Sequence, residues 1–225
     1  MMAKLQIPQQ HVAGLIKIRI LDGERLNELT AALVDAPPVL QRKELMTWLA
    51  TRMTSIAESE LDEILGTLIG MSSTLFQFNL SSPEFAERVC EAMQQSDNEE
   101  LTLIDKDREG FKNRLIQLLD LESLLYPAKA FNILYDHERV FIQASAVTDV
   151  RAVFGPDPEV PPRAAAIIHM LNITCQRGDE EENIYVAMDT QDLESLIATL
   201  RRALSKTKSL KKVLGGAGIT CLNPE

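Results

Sequence analysis

The sequence has no run of about 18 consecutive apolar residues, so no membrane-crossing helix is expected. Its start has no basic segment followed by an apolar stretch, so no secretion signal is expected either. Cysteine is sparse. Cys90, Cys175 and Cys221 are odd in number, scattered and without metal-ligand spacing, which fits free thiols in a reducing cytoplasm better than a disulfide or zinc framework. Basic residues are outnumbered, 23 Lys and Arg against 33 Asp and Glu, for a net charge of −10. A phosphate backbone would be repelled by such a chain, and nucleic-acid binding is not expected. No repeat, low-complexity tract or nucleophile elbow is present. The chain therefore reads as non-enzymatic, with no cofactor and no metal.

What the sequence does contain is enough apolar material for a real core, 45% of 225 residues. Residues 8–125 read as helical almost throughout. Leu26, Leu29 and Leu33 form one stripe before Pro37-Pro38, and Leu40, Leu45, Trp48, Leu49 and Met53 suggest a second helix beyond it. Leu61, Ile64, Leu65, Leu68 and Ile69 make a third, in which Gly66 and Gly70 imply close packing. Ser82 and Pro83 read as the cap and first turn of a helix burying Phe85, Val89 and Met93. Phe111, Leu115, Leu118, Leu119 and Leu125 continue the pattern, and Pro127 is expected to interrupt it.

The character changes after that. Val140–Phe154 and Ala164–Gln176 are rich in β-branched residues and read as strands, separated by the donor-poor stretch GPDPEVPP. A turn at Arg177–Glu180 leads to a third strand, Glu182–Asp189, and the simplest topology is an antiparallel meander. A helix starts at Asp189 or Thr190 with Asp192 as capping-box partner, and Leu193, Leu196, Ile197, Leu200, Ala203 and Leu204 give it one apolar stripe. The expected class is α+β: an N-terminal helical bundle (1–125), a three-stranded meander with its C-terminal helix (126–214) and a flexible tail (215–225) containing Gly215, Gly216 and Gly218.

Folding both hairpins about the middle of their loops places Asp149, His169 and Asp189 on one cross-strand row. On that register the even-numbered face, with Val140, Ile142, Ala144, Val150, Phe154, Ile168, Met170, Ile184, Val186 and Met188, should take the helix. The odd-numbered face still holds Phe141, Val147, Val153, Ile167, Leu171, Ile173 and Tyr185, more apolar surface than a solvated sheet carries. Something else is expected to cover it.

The order of helical region, meander and closing helix resembles the COMM-domain family. VFIQASAVTDVRAVF, the proline-rich connector, AAAIIHMLNITC, NIYVAMD and DLESLIATLRRAL carry the likeness, about 65 residues of layout and apolar pattern. The family's first strand typically holds a tryptophan; here the only one is Trp48. The resemblance implies a domain without a catalytic site that pairs through its sheet into interlocked dimers and larger scaffolds. TDVRAVF and AAAIIHML also resemble stretches of bacterial proteins, which implies a prokaryotic source.

The expected self-association surface, in a homodimer or higher homo-oligomer, is Phe141, Val147, Asp149, Arg151, Ile167, His169, Leu171, Ile173 and Tyr185, with the helical domain left to hold other proteins. Two alternatives stand beside it. Asp149, His169 and Asp189, with Arg151 as an anion contact, form a candidate catalytic or ligand-binding set against the plainer reading of a hydrogen-bonded polar row. The stretch containing Arg201, Arg202, Lys206, Lys208, Lys211 and Lys212 has no acidic residue, so it is either an anionic-lipid contact or a solvated helix end matched to the helix dipole. Cys175 reads as a small packed hydrophobe.

Overall fold

The computed structural model describes residues 5–96 and 98–222; Pro224, at the end of the expected tail, lies outside the described residues. The chain divides into a helical unit ending at Leu134 and a second unit, Tyr135–Cys221. The class is α+β, as the sequence patterns imply, with the helices first, one antiparallel sheet and a final helix.

The helical unit contains α1 (Gln9–Ile20), α2 (Gly23–Val34), α3 (Arg42–Ala50), α4 (Glu58–Gln77), α5 (Ser82–Gln94), a short 3₁₀ turn (Glu99–Leu101), α6 (Asp105–Leu119) and α7 (Glu122–Tyr135). α4 is its axis, with α1 and α3 packed along it, while α5 pairs with α6. One continuous core joins them, including Leu15, Ile18, Leu33, Leu49, Leu65, Leu68, Phe85 and Leu115. The three-four spacing that buries these residues is the one legible in the sequence. Close packing also explains the glycines. Gly14 of α1 lies against Thr67 and the Glu63 carbonyl of α4, Gly66 lies under the Arg42 guanidinium, and Gly70 lies under the His11 ring.

Two local expectations need correction. The N-cap of α5 is Ser81, whose hydroxyl and amide both meet Glu84 in a capping box, while Ser82 sits inside the helix and bonds Asp120 Oδ1 at 2.5 Å. The box needs its acidic partner three residues on, and only Ser81 has one. Pro127 does not interrupt α7, which runs through it. Burial of Leu124 and Ala128 on either side holds the helix across the lost backbone bond. The division between the two units falls at 134/135, near the end of α7.

In the second unit, β1 (Val140–Val153), β2 (Ala164–Arg177) and β3 (Glu180–Met188) form a meander in the order β1-β2-β3. Both junctions are antiparallel, with an irregularity in β1 between Phe141 and Gln143. The second hairpin is tighter than expected. Arg177 pairs with Glu180, and Gly178 takes φ of +60° at the first central position of a two-residue turn. α8 (Thr190–Gly216) follows, capped by Asp189 with Asp192 completing the box, and extends two residues into the stretch expected to be tail.

Candidate functional site

The hydrogen-bonded register decides which side chains share a face. Thr148 pairs with His169, and His169 with Met188. One face therefore carries Ala144, Ala146, Thr148, Val150 and Ala152 from β1; Ala165, Ile167, His169, Leu171 and Ile173 from β2; and Ile184, Val186 and Met188 from β3. Phe141 and Cys175, paired before the β1 irregularity, extend it. This face is nearly all apolar. The other carries Val147, Asp149, Arg151 and Val153 with Ile168, Met170, Asn172, Asn183 and Tyr185, a mixed surface.

The expected register is thus off by one on β2, and the expected surface is divided between two faces. Phe141, Ile167, His169, Leu171 and Ile173 lie on the apolar face; Val147, Asp149, Arg151 and Tyr185 lie on the mixed one. A one-residue slip moves every side chain of a strand across the sheet. Sequence reasoning consequently missed Ala144, Ala146, Ile184 and Val186 as neighbours of Leu171 and Ile173. The signal was there in Arg177-Gly178-Asp179-Glu180, because a glycine at the first central position marks a two-residue hairpin.

The same slip separates the candidate polar row. Asp149 pairs with Ile168 and faces away from His169. His169 instead meets threonine hydroxyls through both ring nitrogens, Nδ1 to Thr148 Oγ1 at 2.9 Å and Nε2 to Thr190 Oγ1 at 3.3 Å. Asp189 is occupied as the α8 cap, accepting from the Asp192 amide at 2.8 Å. Among the described residues no cluster of three or more His, Cys, Asp or Glu side chains is placed to hold a metal.

α8 was expected to cover the apolar face, but it meets β2 and β3 only near its start. Leu193 and Leu196 are half-buried, and beyond them Leu200, Leu204 and Val213 are 56%, 66% and 68% exposed. The sheet is equally open, with Val150 at 70% and Ile167 at 57%. Only Thr174 and Cys175 are buried among the described residues of this unit. Arg201, Arg202, Lys206, Lys208, Lys211 and Lys212 are exposed along the same helix. At the Phe141–Cys175 end, Arg139 Nε donates to Glu182 Oε2 at 2.8 Å, and this bond holds the Glu182 carboxyl below its ordinary range.

No helix among the described residues is long and apolar enough to cross a membrane. No protein-family model matches the chain, and no curated protein is significantly similar to it.

Proposed function

We propose that the chain is a non-enzymatic, COMM-like scaffold that associates with a second copy of itself through its C-terminal unit. The observation that carries the reading is a pair of uncovered apolar surfaces on one chain, the Val150–Ile167–Leu171–Val186 sheet face and the Leu200–Leu204 stripe of α8, which do not cover each other. A three-stranded sheet needs a covered face for stability, and exposed patches of this kind mark interfaces. A second copy supplies both complements at once, the helix stripe of each copy on the sheet of the other, and a two-fold axis makes the exchange reciprocal.

The area is adequate. Two 14-residue strands about 45 Å long beside a nine-residue third about 30 Å long, each about 4.8 Å wide, give on the order of 550 Å² of sheet face. Adding the helix stripe approaches the roughly 800 Å² per partner of a stable interface. The apolar face also carries little charge within its centre, so the net charge of −10 does not oppose pairing there. Light scattering after gel filtration tests the reading: a mass near twice 25.1 kDa, or a higher even multiple, that persists on dilution is expected. A monomer at all concentrations would refute it, and a stable complex only with a different protein would redirect it to a hetero-assembly.

A second reading draws on the same helix. The exposed Leu200, Leu204 and Val213 share α8 with the six basic residues, the make-up of an interfacial helix on anionic lipid. Co-sedimentation with phosphatidylserine vesicles separates the two, because lipid binding would fall with salt and compete with dimerisation.

A further inference from the structure

A pocket of about 260 Å³ opens in the helical unit between α3, α4 and α7. Leu45, Ile69, Leu124 and Ala128 form its walls, so most of its lining is aliphatic carbon. Its volume falls just under the roughly 300 Å³ at which pockets for drug-sized ligands begin, which suits a fragment-sized guest.

Three polar residues interrupt this lining, and one of them, Ser73, already donates its hydroxyl to the Ile69 carbonyl at 3.0 Å. Ser123 is 2% exposed and lines the pocket, yet its Oγ has no hydrogen-bond partner in the protein. A buried hydroxyl with no partner in the protein is costly, and a donor or acceptor brought to it would offset that cost. Pro127, one turn further along α7, has no N–H to return to the Ser123 carbonyl, so the backbone acceptor of the same residue also loses its helical donor. The remaining polar group is Arg42, at the solvent side. Its Nη2 bonds the Asp62 carboxylate at 2.7 Å and the Asp62 carbonyl at 2.5 Å. Its guanidinium rests on Gly66, where an added Cβ would stand 2.8 Å from the guanidinium carbon. Asp62 and Gly66 therefore fix the cation in place, and those bonds leave Nε and Nη1 as further donors.

We propose that this pocket binds a small carboxylic acid with an apolar body and a hydroxyl at its far end. The hydroxyl reaches Ser123, the body fills the aliphatic walls, and the carboxylate stays at the mouth against Arg42. Arginine suits that role because its planar fork serves two anionic groups at once.

The probes are 4-(4-hydroxyphenyl)butanoate and its counterpart without the hydroxyl, 4-phenylbutanoate, titrated by calorimetry into the full chain. Saturable binding is expected for the first, with the second weaker by about tenfold. Ser123→Ala should abolish that preference, and Arg42→Gln should weaken both acids. Methyl NMR of the wild-type chain locates the guest independently of any variant: shifts should concentrate at Leu45, Ile69, Leu124 and Ala128. The proposal is overturned by no saturation up to about 5 mM, by methyl shifts confined to other residues, by a hydroxyl preference that survives Ser123→Ala, or by unchanged affinities in Arg42→Gln.

Discussion

Thr148 and His169 are direct partners across β1 and β2, with Thr148 Oγ1 2.9 Å from His169 Nδ1. Because the opposite nitrogen meets Thr190, the imidazole ties the middle of the sheet to the first residue of α8. Asp149, next to Thr148 in sequence, projects to the other face. His169→Ala is expected to destabilise the chain by about 1 kcal/mol through loss of these hydrogen bonds, and Asp149→Asn by less than about 0.5 kcal/mol. A double-mutant cycle in urea should give a coupling near zero; coupling above about 1 kcal/mol would restore Asp149 and His169 as a working pair.

The two sheet faces give opposite outcomes for assembly. Leu171→Asp places a charge among Ala146, Val186 and their neighbours, and it is expected to yield a monomer in light scattering. Tyr185→Ser changes the mixed face and should leave the mass unchanged. The reverse pattern would transfer the interface to the mixed face.

Gly14→Ala should be destabilising by about 1–3 kcal/mol, although alanine is the better helix former by about 1 kcal/mol. An added Cβ overlaps the Glu63 carbonyl and the Thr67 side chain of α4; the hydroxyl of Thr67 can rotate away, but its Cβ and the Glu63 carbonyl cannot move without shifting the α4 backbone. Gly110→Ala in α6 is the control, since nothing lies near its Cβ direction; there the substitution should stabilise. Thermal melts of the two variants would need to move in opposite directions.

Cys90 is fully buried, and burial pushes its thiol up to about 11. At pH 8 about one molecule in a thousand would carry the reactive thiolate. Labelling with a disulfide reagent, mapped by mass spectrometry, should modify the partly exposed Cys221 first and Cys90 only after unfolding. Equal rates at the two positions would show that α5 and α6 open readily around Cys90.

The helices and strands were legible because each carries its own periodicity. Leu61, Ile64, Leu65 and Leu68 fall on one side of α4 and are all buried there. Asp189 and Asp192 announced the start of α8 in the same way. Register was not legible to the same degree, since it depends on where a hairpin is centred. Half a residue of error at Gly178 becomes a full step on β3, and a ten-residue connection between β1 and β2 offers even less constraint. The docking of α8 was misjudged for a different reason. An amphipathic stripe specifies that a helix has an apolar side, but nothing in its spacing says that this side meets the neighbouring sheet. The pocket beside Ser123 had no sequence signal, because it assembles from α3, α4 and α7 across more than one helix pairing.

β3 stops at the Met188–His169 pair, so Ala164–Ile168 and Asp149–Val153 continue as a two-stranded ribbon with no third strand among the described residues. An isolated ribbon of this kind frays in water. Its amides should therefore exchange with solvent early in the lone chain and late once the ribbon is clasped, which makes this outer end of the hairpin the part of the molecule whose clock is set by company.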